Sequence, residues 1–354
     1  MKKKAIVIFI VVFVISVSFY NTANTSIDDI YIANCILVDI NENGMIEMMF
    51  ISPKAKESEE GSESDYETKT GLGLSIIDCF QSAERQTGKE IFIGHLKSLI
   101  IGKNIAASKE KMDELFEYFE RNSTFNYFTS VFFTNNKIAD FENTLHQKQD
   151  STTGFIESII QNTPSKRFLN KNYNEIINEG ACYSIPLLTV NENIEYNGFA
   201  LFKNNQYVKN YNNDDTLTYK LACETTYDNY ITSPNCDIVI NKSSRSLKRT
   251  KDTEFELTIY LRADVLYTNF DANFEENGGE EIKIELENQI EESVYKLFED
   301  ARAVNADIFN IEKYMERYHY KDYMNYKETG VDILNSADIT VKVDTKLLRN
   351  ATMY

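Results

Sequence analysis

Tryptophan is absent from the 354 residues, proline occurs four times and histidine three times. None of the five cysteines forms a C-x-x-C pair, and His95, His146 and His319 are scattered. The chain therefore has no zinc-ligand spacing and no metalloprotease helix. The thirteen glycines build no P-loop, dinucleotide fingerprint or nucleophile elbow. Gly71-Leu72-Gly73 starts like a phosphate loop, but no third glycine follows, and it reads as a turn before a helix. Basic charge is also short: 37 Lys and Arg against 55 Asp and Glu leave a net charge of -18. Such a surface repels phosphate backbones, which disfavours nucleic acid, and it argues against electrostatic attachment to anionic lipid.

The amino terminus sets the compartment. Met1-Lys2-Lys3-Lys4 precedes Ala5 to Tyr20, a stretch without charge. As a helix it spans about 24 Å at about 1.5 Å per residue, somewhat less than a hydrocarbon core of about 30 Å. A basic start before a long apolar run is the layout of a secretory leader, and the lysines hold its beginning inside. Residues 1–24 therefore read as a signal peptide cleaved near Ser18 to Ala23, or as a retained single-pass anchor, with the anchor preferred. The run is followed by Asn21 to Ser26 and not by the cysteine that a lipoprotein requires; the first thiol is Cys35.

Beyond the leader three segments are expected, 25–164, 165–230 and 231–354. Ile30 to Ile40 and Met45 to Ile51 read as a hairpin around Asn41-Glu42-Asn43-Gly44. Lys56 to Thr70, without an aliphatic side chain, reads as an exposed loop. Leu74, Ile77, Cys79 or Phe80, and Ala83 have helical spacing over Gly71 to Gln86. Met112, Leu115, Phe116 and Phe119 do the same over Lys109 to Arg121. Glu90 to Gly102 and Phe125 to Thr134 are β-prone, and Phe155, Ile156, Ile159 and Ile160 mark a short helix. The middle segment has strands at Tyr183 to Val190, Ile194 to Lys203 and Gln206 to Tyr211, then a helix from Asp214-Asp215. Thr232 to Arg249 reads as a crossover. In Thr253 to Val265 apolar and polar residues alternate, and Leu286, Ile290, Val294, Leu297, Ala301 and Val304 stripe a long helix over 280–304. Glu287, Glu291, Glu292 and Glu299 fall on its wet side. Ile339, Val341 and Val343 mark a closing strand, so this part is an α+β layer.

No residue set emerges as catalytic, cofactor-binding or metal-binding. His95 lies in an apolar run and reads as a packed histidine; His146 and His319 read as surface or packing residues. Asp28-Asp29 and Asp214-Asp215 suit helix starts through the macrodipole, more simply than calcium or acid–base work. The Tyr-rich run Tyr314 to Tyr326 reads as packing, with a ligand surface as the alternative. Cys35, Cys79 and Cys182 read as small core residues. Cys223 and Cys236 leave open a disulfide outside the cytoplasm. The lack of a reactive constellation favours a binding or assembly role.

Several stretches resemble the Ger(x)C family, the C subunits of bacterial spore germinant receptors. They are Ile32 to Gly44, Ile93-Gly94-His95-Leu96-Lys97 with Leu99-Ile100-Ile101-Gly102 through Ala106, and Tyr183 to Phe202 with Pro186, Gly198, Ala200 and Phe202. Leu286 to Asp307, ending in an alanine-aspartate, completes the set. The resemblance implies an α+β chain of three domains, each a mostly antiparallel sheet with helices packed on it. It implies a non-enzymatic protein on the outer face of the spore inner membrane or the cell membrane, here anchored by residues 5–20. It also implies integral-membrane A and B subunits as partners, and no cofactor. The chain departs from the pattern in lacking the lipidated cysteine and the tryptophans of the last domain, where Tyr323 and Tyr326 stand nearby. Two other functions fit the residues: a secreted or surface binding protein for a small ligand or peptide, and a surface hydrolase using the acid pairs.

Overall fold

The computed structural model describes residues 27–53, 66–125, 128–147, 181–232, 236–268 and 279–350. The leader and the helix expected at Phe155 to Ile160 lie outside them. The architecture is α+β. β1 (Ile30–Ile32) pairs in parallel with β5 (Glu90–Phe92). β2 (Cys35–Ile40), β3 (Ile46–Pro53) and β4 (Tyr66–Gly73) form the expected hairpin and its continuation, all antiparallel. β6 (Ser98–Gly102) and β7 (Ser130–Thr134) add in parallel to β2. β8 (Cys182–Val190) runs parallel to β7, and β9 (Ile194–Lys203) and β10 (Gln206–Tyr211) complete an eight-stranded sheet. The strands read as a middle segment thus hydrogen-bond onto the N-terminal sheet through the β7–β8 pair.

Side-chain alternation gives this sheet two different faces. Ile36, Val38, Met48, Phe50, Leu99, Ile101, Val131 and Phe133 face α1 (Ile76–Thr87), α2 (Lys103–Ala106) and α3 (Lys109–Arg121). Leu37, Met49, Ile51, Ile100 and Phe132 face α4 (Ile138–Gln147) through Ile138, Phe141 and Leu145. α1 begins in a capping box between Ser75 and Asp78 and ends at Gly88 in the left-handed region. Its buried face is Ile76, Cys79, Phe80 and Ala83, while Leu74 and Ile77 are exposed. The expected face is corrected because Gly71 to Gly73 belong to β4 and not to a helix-start turn. A Cβ on Gly71 would lie 1.9 Å from the Cys79 carbonyl oxygen, so the bare strand lets α1 settle on it. The exposed loop expected over Lys56 to Thr70 likewise gives way at Tyr66 to β4, an edge strand, where charged residues are tolerated.

The second sheet has the order β11 (Asn229–Thr232), β12 (Cys236–Lys251), β13 (Glu254–Thr268), β14 (Asp338–Asn350), the last pair parallel. The crossover expected at Thr232 to Arg249 is mostly the long strand β12. A register shift between Ile240 and Lys242 moves the inward positions from Cys236, Ile238 and Ile240 to Ser243, which hides the alternation in the sequence. α5 (Asn213–Cys223), α6 (Gly279–Ala303), α7 (Ile311–Tyr318), α8 (Tyr320–Thr329) and α9 (Ile333–Ser336) complete the described elements. The α6 stripe is buried at Leu286, Ile290, Val294, Leu297 and Ala301, with Ile282 and Phe298 added; Val304 lies past its end. Glu287 and Glu291 are not simply on a wet side. They accept the backbone N–H groups of Thr345 and Val343 at 2.7 and 2.9 Å, capping the free edge of β14.

β9 ties the two sheets together. Ala200 and Phe202 join the core over α1 to α3. Phe199 and Leu201 point the other way, into one core with Tyr219 of α5, the α6 stripe and Leu257 and Ile259 of β13. Gly198 makes this turn of the chain feasible: its φ is +89° and a Cβ would lie 2.0 Å from the Tyr211 carbonyl oxygen. Gly44 also has a positive φ of 76°, but open space around it. Gly44→Ala should therefore cost only the backbone penalty of about 1–2 kcal/mol. Gly198→Ala should cost at least about 2 kcal/mol more, because a backbone clash adds to it. Urea unfolding of the two variants measures the difference.

Candidate functional site

The residues flagged by sequence do not converge. Asp28 and Asp29 form a 3-10 turn, and Asp215 closes a capping box with Asn212 at the start of α5. His95 is exposed, not packed in the sheet, because Glu90 to Gly102 is two strands joined by a turn at 93–97. It meets the edge of Phe92 with ring centroids 5.7 Å apart; His319, between α7 and α8, lies 5.6 Å from Tyr314. Neither imidazole bonds a Ser, Thr or Cys side chain. All five cysteines are thiols, so the Cys223–Cys236 bridge does not form in this structure. Cys223 donates to the Ile308 carbonyl at 3.4 Å, and Cys236 is buried in the second core. Burial pushes the Cys35, Cys79 and Cys182 thiols up to about 12, which leaves them protonated and poor nucleophiles. Among the described residues no group of three or more His, Cys, Asp or Glu is placed to hold a metal ion.

A concavity of about 710 Å³ opens where the two sheets meet. One wall is the end of the β8–β9 pair, Cys182 and Lys203. The floor is the loop from Asn305 to Asn310, and the far wall is α7, α8 and residues 330–334. Both Asn305 and Asn310 are left-handed, with φ of 54° and 59°. Contacts from three elements hold this loop. Lys203 of β9 donates to the Asn305 carbonyl, Cys223 of α5 to Ile308, and Arg245 of β12 to Phe309 at 3.3 Å. Within the loop, Asp307 accepts the N–H groups of Ile311 and Glu312 at 2.8 and 2.9 Å and so caps α7. By surface area Asp307 is only half-buried, yet protein surrounds it closely. Burial raises its carboxyl to about 6, the two N–H bonds opposing the rise.

The cleft is lined by charge of both signs: Lys203, Lys313 and Lys327 face Asp307, Glu312, Glu316 and Asp332. Lys327 lies 4.7 Å over the Tyr323 ring, and its ammonium is held above the usual range chiefly by bonding to that tyrosine. The Tyr-rich run divides accordingly. Tyr323 is buried in the core, Tyr326 lines the cleft and receives Arg249 Nη2 at 3.4 Å, and Tyr318 and Tyr320 are exposed. Such a cleft provides hydrogen bonds and charge pairing. Sequence reasoning did not assemble it; its visible signals were the alanine-aspartate at Ala306-Asp307 and the Tyr-rich run, whose Tyr323 and Tyr326 line it.

The N-terminal residues 24–190 match the family model described as Spore germination protein N-terminal domain. Residues 197–351 match the model described as Spore germination B3/GerAC like, C-terminal. The chain belongs to the Ger(x)C family of spore germination proteins. The crystal structure of the GerBC protein shares the fold at a TM-score of 0.56 and 14% identity, covering 88% of this chain and 96% of that one. No curated protein matches the sequence. The Ger(x)C motifs acquire physical roles here. Gly102 abuts Asp39, whose Cγ would lie 2.3 Å from an added Cβ. Asp39 in turn accepts from the Ile105 N–H at 2.9 Å and from Asn104 at 3.3 Å, so it caps α2 while burial raises its carboxyl.

The raised carboxyl of Asp307 has a sign. Between the ordinary carboxylate value and about 6 the folded chain holds the proton more tightly than the unfolded chain. The stability it contributes is thus full below about pH 4 and is lost as pH rises through about 6. Asp307→Asn should flatten that part of the stability–pH curve, as followed by urea unfolding at steps from pH 4 to 7.

Proposed function

We propose that the chain is the extracytoplasmic C subunit of a spore germinant receptor, working by assembly with integral-membrane A and B subunits to couple nutrient sensing to germination. The observation that carries this reading is the consecutive match of both spore-germination family models along 24–351. The fold it shares with GerBC is consistent with it. Among the described residues no helix is long and apolar enough to cross a membrane, so the anchor in this reading is the run Ala5 to Tyr20. Retained there, it holds the body at the outer face of the inner membrane. Tethering raises its effective concentration toward partners in the same bilayer, which makes a modest contact surface sufficient. The apolar run takes the place of the missing lipidated cysteine.

Deletion of the chain in a spore-former should abolish or slow germination toward at least one nutrient of a panel while other nutrients still act. Normal germination with every nutrient would count against the assignment. In fractionation the full chain should stay with membranes after a high-salt wash. Release as soluble protein would favour a secreted binding protein.

A further inference from the structure

The strand register shows at which end of the first sheet the first described residues enter. Residues 21–26, between the apolar run and the first described residue, reach at most about 20 Å when fully extended at about 3.3–3.6 Å per residue. The described chain starts at Ile27 and enters β1 at Ile30, beside Glu90. Cys35, Ser98 and Ser130 are register partners at the starts of β2, β6 and β7, so the connections before them share one rim of the sheet. That rim is bonded together: Ala33 N–H to the Phe92 carbonyl at 3.0 Å, Lys97 N–H to Asn34 at 2.8 Å, and Thr129 Oγ1 to the Leu96 carbonyl at 2.9 Å. Two aromatic side chains project from it, His95 and Phe128, the latter 71% exposed.

Both residues are exposed at this rim, outside the two cores and the cleft lining. A phenyl ring left this exposed loses the stabilisation of burial. Trp, Phe and Leu side chains of proteins lying on a membrane bury into the boundary between headgroups and acyl chains. We propose that the His95 turn and Phe128 form the face that rests on the bilayer, with Phe128 entering the headgroup layer of a zwitterionic phospholipid surface. The chain's net charge of -18 weighs against attraction to anionic lipid. Another exposed apolar corner, Leu72, Leu74 and Ile77, lies at the opposite end of the strands. Gly73 pairs with Ile46, about 17 Å along β3 from Ile51, the partner of Cys35, at about 3.4 Å per residue. This orientation rests on the retained anchor proposed above.

The absence of tryptophan makes the test direct. Full-length Phe128→Trp and Leu74→Trp chains are each reconstituted into phosphatidylcholine vesicles without other proteins, floated on a density gradient, and read by quenching with brominated phosphatidylcholine. The Phe128→Trp chain should float, emit at shorter wavelength than in solution, and lose at least half its emission to the brominated lipid; the Leu74→Trp chain should be unaffected. A chain that does not float overturns the anchor reading and this orientation with it. A chain that floats with Phe128→Trp unquenched overturns the orientation alone and points to a protein partner on that rim. Stronger quenching of Leu74→Trp than of Phe128→Trp overturns it in favour of the opposite corner.

Discussion

The alternation of side chains along β9 is the constraint on which the rest of the structure depends. One strand supplies Ala200 and Phe202 to the core beneath α1 to α3, and Phe199 and Leu201 to the core around α6. A one-residue slip would exchange these sets and leave both cores mispacked. Gly198 permits the close approach of the Tyr211 backbone that sets the register. With each buried aromatic or aliphatic side chain contributing about 1.5–3 kcal/mol, four consecutive residues couple the two sheets. The cleft exists because this coupling brings the end of β9 to the loop that follows α6.

Polar groups fill the places that apolar packing leaves open. Asp39 and Asp307 cap short helices from within the chain, and Glu287 and Glu291 occupy the outer edge of β14. A free strand edge invites pairing with another chain, and here acceptors from the long helix satisfy its N–H groups. The acidic excess therefore has a structural use beyond keeping the surface soluble.

Elements with an unbroken period were legible. α6 agrees with its pattern to within a residue at each end, and β13 starts one residue after its pattern and runs three beyond it, because one face of each meets one continuous core. β12 was not, since a register shift changes which parity faces inward, and its Ser, Lys and Arg residues resemble a loop. The face of α1 was misjudged because its start depends on Gly71 accepting Cys79 against bare backbone, a contact with no periodic trace. The cleft was almost invisible: its residues come from β8, β9 and positions 305–334, and their charges look like ordinary surface charge.

By itself the sequence determined the α+β class, the long helix and the family resemblance. These follow from periodicity and from short motifs, all local along the chain. Only the tertiary structure decided that the middle strands extend the first sheet, that the five cysteines stay reduced in it, and that a mixed-charge cleft lies at the joint. Those outcomes depend on pairings between residues far apart in sequence, and hydrogen-bond register and burial settle them only once both partners are in place.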